Sequence, residues 1–427
     1  MATTESTALG GPQSNITEAH VKRVLKADKG SNAQLNSWNV KDFTQKGDNY
    51  ANVVTSVSVS YSLHGQDQSV SYVVKINTKY NVDNDMELFT AIIFKKEAEF
   101  YEEIIPLLNS ELTSVGLREL RMPKWFYTHC EDGQDMIFLE NLRPQGYQMF
   151  DRRKVMDVPH ATLVLQELAR MHAASRLLQA RTPDEDFCDQ FKYIKTNWIN
   201  FSDTAKEMMN NFFASSICNA EEMLHKVKGY ELAEQWMAKN KTDGAGVIER
   251  HLIRNPKFDV ICHGDCWNNN VLFRYNEDGD PVEVMLVDLQ LNGVASLAND
   301  LNYFLHSSLH GNDRKINLQN FLTSYYYTFT KVLEAGGEAT PFTLQELHQE
   351  YMNKLEYGVL FSTMGVTIML SEGSDTLDLD AMKTNEDVKR VMEEWQVTTI
   401  KMMDTNPAFR SRFLASFDEL AEQGLTS

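Results

Sequence analysis

Two runs near the start of the organised chain alternate apolar and polar residues with a period of two. Val53 to Tyr61 is one, and Ser69-Val70-Ser71-Tyr72-Val73-Val74-Lys75-Ile76 is the other. Successive side chains of a strand point to opposite faces, so both runs predict β-strands. From Phe94 to Tyr101 the period lengthens, and Phe94, Glu97, Phe100 and Tyr101 fall close to one face of a helix. Met136 to Leu142 predicts a third strand, broken by Arg143-Pro144-Gln145-Gly146. Beyond residue 140 helical spacing dominates, over 161–178, 187–228, 230–252 and 318–333. The exception is a hairpin. Val271 to Tyr275 and Val282 to Val287 read as strands, and Asp278-Gly279 between them is a strong turn signal.

These elements predict an α+β chain with a mixed α/β part over 15–139 and a mainly helical part over 140–427. Residues 1–14 are small and polar, and are expected to be disordered. At 427 residues the chain exceeds a usual single domain, which favours a two-lobed body with its hinge near Glu140 to Leu142. The 42% hydrophobic and 24% charged content suits a globular protein with a sizeable core. A net charge of -19 argues against a nucleic-acid partner, because binding a polyanion needs basic patches. Five scattered cysteines with no CxxC pair fit a reducing interior. The N-terminus has neither the basic start nor the apolar run of a signal peptide, and no stretch reaches membrane-span length. The expectation is a cytoplasmic protein acting on a small molecule, with no membrane contact and no obligate protein partner.

The chemistry-bearing residues sharpen this. His263-Gly264-Asp265, with Asn270 after it and Val287-Asp288-Leu289-Gln290 beyond, has the spacing of a kinase catalytic loop followed by a metal-binding strand end. Phosphoryl transfer needs a carboxylate beside the attacking hydroxyl and oxygen ligands that hold Mg²⁺ on the phosphates of ATP. Asp265 is the candidate base, and the hairpin returns the chain so that Asn270 and Asp288 become the candidate metal ligands. Asp288 interrupts an apolar strand, where a lone carboxylate requires a partner, whereas Asp278 and Asp280 are solvated turn residues. Upstream, Lys75 ends an apolar strand and Glu97 lies on the apolar face of the following helix, in the order expected of a phosphate-contacting lysine and its glutamate. Glu99, Glu102 and Glu103 read as solvated. Thr44 to Asn52, with Gly47 and Asn49, forms a turn able to lay backbone N–H groups over phosphates, although it lacks G-x-G-x-x-G. Glu140 and Leu142 are the candidate contacts to the adenine edge.

The runs KGDNYANV, VVKIN, FKKEAEFYEEIIP, FLENLRPQGY, LVLQELARMHAAS, HGDCWNNNVLFRY, VMLVDLQ and DLNYFLHSS, in that order, resemble the ecdysteroid kinase-like family. That family, also called CHK-kinase-like, is similar to aminoglycoside phosphotransferases and choline kinases. The resemblance implies a two-lobed protein-kinase-like fold and an ATP-dependent O-phosphotransferase. Asp265 would be the base, Asn270 and Asp288 the Mg²⁺ ligands, and Lys75 the phosphate contact paired with Glu97. It also implies an ecdysteroid or a related steroid or xenobiotic alcohol as acceptor. Cys266, Asn268 and Leu289 depart from the family's usual residues without removing a functional side chain, and the 291–296 turn is divergent.

Two other readings compete. A choline- or ethanolamine-type kinase would need an aromatic or acidic cage for a cation. A non-catalytic pseudokinase would bind nucleotide or a steroid-like ligand without turnover. Protein kinase activity is disfavoured, since H-G-D replaces H-R-D and no A-P-E-like end follows Asp288. Among the remaining residues, His172 reads as a satisfied core histidine, Asp300 as support for the catalytic loop, and Tyr325-Tyr326-Tyr327 as core packing. Glu372, Asp375, Asp378 and Asp380 read as a solvated acidic loop.

Overall fold

The computed structural model describes residues 11–43, 52–77, 85–130, 134–196, 198–199, 201–371, 377, 381–382, 384–422 and 424. Gly47, Asn49 and the acidic loop of Glu372, Asp375, Asp378 and Asp380 therefore lie outside the described residues. Pro12–Asn15, which overlaps the end of the 1–14 stretch expected to be disordered, forms a 3-10 turn.

The first part holds α1 (Glu18–Lys29), β1 (Gln34–Asp42), β2 (Val53–Leu63), β3 (Gln66–Asn77), α2 (Asp85–Glu99), α3 (Ile105–Ser114), β4 (Trp125–His129) and β5 (Asp135–Glu140). Its strands form one antiparallel sheet in the order β1-β2-β3-β5-β4. The period-two pattern divides the two faces of this sheet. Tyr72, Val74, Ile76, Met136 and Phe138 join a small core with Val21, Val24 and Leu25 of α1. Val73, Lys75 and Leu139 face the opposite way, into a cleft. Helix α2 runs through a π-helical turn at Phe100–Ile104 into α3.

The second part holds β6 (Gln148–Met149), α4 (Val158–Ala180), α5 (Asp203–His225), α6 (Glu231–Asn240), α7 (Gly244–His251), β7 (Asp259–Cys262), β8 (Val271–Tyr275), β9 (Pro281–Leu286) and β10 (Gly293–Ser296). Among the described residues six helices complete it, α8 (Leu297–Ser308), α9 (Gly311–Ala335), α10 (Leu344–Asn353), α11 (Leu355–Leu370), α12 (Asn385–Thr405) and α13 (Pro407–Glu422). The predicted hairpin is β8 and β9, with β6 on its outer edge. A second short pair, β7 with β10, was not apparent in the pattern. Helix α4 is buried along most of its length at the centre of the large core, and His172 on it is fully enclosed.

The helical spacing over 187–228 is interrupted: Phe187–Gln190 is a 3-10 turn and α5 starts only at Asp203, capped by the Ser202 hydroxyl. Of the three consecutive tyrosines, Tyr325 is buried, Tyr326 packs partly against the core, and Tyr327 is exposed, because a helix cannot turn three neighbours to one side. All five cysteines are unpaired thiols. No helix among the described residues is long and apolar enough to cross a membrane. A mixed α/β part built on an antiparallel sheet, followed by a mainly helical part, is the α+β, kinase-like architecture expected.

Candidate active site

Strand alternation aims Lys75 into the cleft, where its ammonium meets two carboxylates. Nζ donates to Glu97 Oε1 at 2.8 Å and Oε2 at 2.7 Å, and to Asp288 Oδ1 at 2.7 Å. Glu97 is 0% exposed and also accepts the Leu289 N–H at 3.3 Å. Burial pulls the Lys75 ammonium down, but Asp288 and Glu97 together carry it above the ordinary lysine range. Burial pushes the Glu97 carboxyl up, and Lys75 opposes that shift.

The H-G-D loop leaves the end of β7. Gly264 has φ +80°, and a Cβ there would overlap the Leu291 carbonyl, so only glycine fits. Asp300 of α8 clamps the loop backbone, accepting the His263 N–H at 2.6 Å and the Gly264 N–H at 2.9 Å. His172 Nε2 donates to Asp300 at 3.0 Å, while His172 Nδ1 bonds the Tyr325 hydroxyl at 2.7 Å. Asp300 thus supports the loop directly, and its own helix is capped by Ser296 instead. His263 donates from Nε2 to the Val287 carbonyl (3.1 Å) and accepts the Asp265 N–H at Nδ1 (3.3 Å), which specifies the neutral Nε2–H tautomer. Burial lowers its pKa, in keeping with a neutral ring.

Asp265 is oriented by donors on both oxygens. The Tyr303 hydroxyl bonds Oδ1 at 2.5 Å, and Asn270 Nδ2 bonds Oδ2 at 3.0 Å and the Asp265 carbonyl at 2.8 Å. Burial and the nearby Asp288 charge raise the Asp265 carboxyl to about 7, against the lowering influence of Tyr303 and Asn270. The Val287 N–H bonds the Asn270 carbonyl at 3.0 Å, locking the strand end to the loop. Asp288 then turns out of the strand with φ 65°, a left-handed conformation that aspartate tolerates better than most residues. This turn brings its carboxylate to Lys75.

Asn270 and Asp288 suit Mg²⁺, since both offer hard oxygen donors. Asn270 commits its amide nitrogen to Asp265, so its Oδ1 is the atom that could serve a cation.

Two cavities meet at this cluster. One, of about 400 Å³, is the cleft under the sheet, walled by Val54, Val73, Leu139, Leu142 and Leu272, with Lys75 and Asp288 also in its lining. Glu140 also lines it, its carboxylate held by the Lys124 N–H at 3.2 Å and Gln145 Nε2 at 2.8 Å. The other, of about 220 Å³, is walled by Phe89, Trp198, Met208, Phe213, Phe361 and Met364, with Asp265 and Tyr303 also in its lining. Asn269, Asn270 and Asp288 border both.

The structure corrects the reading of Glu99 as solvated. It is 8% exposed and accepts the backbone N–H groups of Lys192 (2.7 Å), Tyr193 (2.9 Å) and Ile194 (2.9 Å). Lys96 beside it donates to the carbonyls of Tyr193 (2.8 Å), Ile194 (3.3 Å) and Thr196 (3.0 Å), and its burial lowers the ammonium to about 7. Helix α2 is therefore buried on two sides, and a single apolar stripe could not reveal the second. Glu102 and Glu103 are exposed, as expected. Tyr303 was also missed, although its position three residues after Asp300 on one helix was an available signal.

A sheet holding Lys75 against Glu97, set over a helical part that carries the H-G-D loop and Asp288, defines a kinase-like protein. The sequence matches the ecdysteroid kinase-like family over residues 46–338. The chain belongs to that family. No curated protein matches it. Among solved structures it is similar to the apo form of a thermostable mutant of aminoglycoside phosphotransferase APH(4)-Ia. The two are 11% identical, with 89% of this chain and 98% of that chain covered at a TM-score of 0.28.

Proposed function

We propose that the protein is an ATP-dependent small-molecule kinase that phosphorylates an alcohol hydroxyl, with an ecdysteroid or a related steroid or xenobiotic alcohol as acceptor. The observation that carries this reading is the meeting of two cavities at Asn270 and Asp288. Lys75 lines one, and the other is largely apolar with Asp265 in its lining.

ATP lies in the cleft, its adenine edge near Glu140 to Leu142 and its phosphates toward Lys75. The acceptor fills the aromatic cavity and brings its hydroxyl to Asp265. The alcohol oxygen bonds the γ-phosphorus as the bond to the ADP oxygen breaks, and the alcohol proton passes to the Asp265 carboxylate. Mg²⁺, held by Asn270 and Asp288, neutralises phosphate charge when bound. Positioning and charge neutralisation supply most of the rate. Residues 15–139 form the nucleotide lobe and 140–427 the lobe with the catalytic loop and acceptor pocket, in a cytoplasmic protein. The apolar, aromatic lining supports an uncharged, hydrophobic alcohol.

The test is Mg²⁺-dependent ADP release from the purified protein with ecdysteroids, plant phenolic glycosides, choline and ethanolamine, with Asp265→Asn as control. Turnover on a steroid or phenolic alcohol, lost in the variant, is expected. Turnover on choline or ethanolamine alone would move the assignment to a kinase whose aromatics cage a cation. Nucleotide binding with no turnover on any alcohol would favour the pseudokinase.

A further inference from the structure

The run Asp300 to Ser308 places two side chains, three residues apart on one face of α8, against the catalytic loop. Asp300 holds the loop backbone. Tyr303 reaches the catalytic carboxylate itself. Its bond to Asp265 Oδ1, at 2.5 Å, is shorter than the 3.0 Å bond from Asn270 to Oδ2. Burial and the Asp265 charge raise the phenol well above its ordinary pKa, so the hydroxyl stays protonated and can only donate toward the carboxylate. The ring belongs to the second cavity. It lies 4.8 Å from the Phe361 ring, which in turn lies 4.6 Å from the Tyr357 ring.

We infer that Tyr303 is the positioning residue for Asp265, fixing the plane of the base at the point where the aromatic cavity delivers the acceptor hydroxyl. The inference rests on the kinase reading and deepens it. The argument is one of torsional freedom. The terminal torsion of an aspartate is broad, so a carboxylate held by a single donor can swing out of line. Asn270 alone grips one oxygen through a neutral amide. A second donor on the other oxygen defines the carboxylate plane, and Tyr303 supplies it from a ring wedged against Phe361. Tyr303 and Asp265 line the same cavity, so one residue aims the base and borders the space from which the acceptor hydroxyl comes. A misplacement of about 1 Å between reacting groups costs roughly 100-fold in rate.

The competing account is that Tyr303 fills space and its hydroxyl takes the nearest acceptor. Two substitutions separate the accounts. Tyr303→Phe keeps the ring and removes the donor, and kcat should fall about 10- to 100-fold while both KM values stay within about twofold. Tyr303→Leu removes the ring as well, and should in addition raise the acceptor KM with the KM for Mg-ATP unchanged. A Phe variant with kcat within about twofold of wild type would overturn the inference and leave the kinase reading standing. So would a Phe variant whose only defect is a raised acceptor KM, because the hydroxyl would then serve binding and not the base. A wild-type protein that shows no thermal stabilisation by Mg-ATP, or no turnover of any alcohol, would overturn the kinase reading and the inference with it.

Discussion

Lys75→Met removes the cation that lies between two carboxylates while keeping an apolar stem of similar length. Glu97, 0% exposed, would keep only the long 3.3 Å bond from the Leu289 N–H. Asp288, with 22% of its side chain exposed, can relax toward the cleft. Breaking a buried pair by removing one partner costs about 3–5 kcal/mol, a large share of the roughly 5–15 kcal/mol that holds a domain folded. Glu97 can recover part of this by taking up a proton. Its carboxyl is already raised by burial, and Lys75 is the group opposing the rise.

The pH dependence follows from that direction. A carboxyl with a folded pKa above its unfolded value binds its proton more tightly when folded, so its penalty is absent below the unfolded value, about 4, and grows as pH rises. Urea unfolding of the wild type, Lys75→Met, Glu97→Gln and the double variant, at pH 5 and pH 8, measures it. Lys75→Met should lose about 3–5 kcal/mol at pH 8 and clearly less at pH 5. Glu97→Gln should lose less than Lys75→Met, because Lys75 keeps Asp288 at 2.7 Å. The double variant should be more stable than Lys75→Met, since no uncompensated charge remains on Glu97. A Lys75→Met loss under about 1 kcal/mol at pH 8, or a double variant no better than the single, would refute a charge-paired cluster.

Asp265→Asn should abolish turnover yet stabilise the metal-free protein. A carboxyl raised from 3.8 to about 7 carries a penalty of at most about 4 kcal/mol, reduced by solvent entering the cleft. The difference from wild type should vanish below about pH 4, grow up to about pH 7 and then level off, which unfolding across that range would reveal. Glu99→Ala strips three backbone N–H groups of their acceptor, so amide exchange at Lys192, Tyr193 and Ile194 should quicken by about tenfold or more, and unchanged exchange would mean the clamp is idle. Mg²⁺ alone should raise the unfolding midpoint by an amount that Asp288→Ala removes, about 1.4 kcal/mol at tenfold excess over Kd, and an equal shift in the variant would place the ion elsewhere.

What could be read from the sequence was what depends on near neighbours. Strand alternation set Lys75 and Val73 on the face opposite Tyr72 and Val74, because side-chain direction in a strand is fixed by parity. The H-G-D spacing was legible because Asn270 closes back on Asp265 within one loop, and Asp278-Gly279 marked the hairpin locally. Features built across the fold were not. Glu99 and Lys96 are satisfied by a segment almost one hundred positions away, close to the 93 and 97 that separate them from Lys192 and Tyr193. Tyr303 meets Asp265 only because α8 docks under the loop. The left-handed turn at Asp288 was hidden because the apolar run reads as strand through Val287. The walls of the aromatic cavity come from α2, α5, α11 and the segment before α5, and no spacing rule joins them.

The same long-range packing gathers three carboxylates at one lysine, an arrangement that bears on the proposed metal site. Glu97, Asp265 and Asp288 bring three carboxylates around the single ammonium of Lys75, which already bonds two of them. The Asp288 charge is one cause of the raised pKa at both Asp265 and Glu97. A polyphosphate entering the cleft would add anions to this excess, and Lys75 can turn toward it only by loosening its hold on Asp288. A divalent ion on Asp288 and the Asn270 oxygen would replace that hold, free the lysine for phosphate, and ease Asp265 toward the ionised form that a base requires. In the proposed kinase, Asn270, Asp288, Lys75 and Asp265 would therefore act as one electrostatic unit, with the turn at Asp288 placing its carboxylate where a lysine or a metal ion could carry the compensating charge.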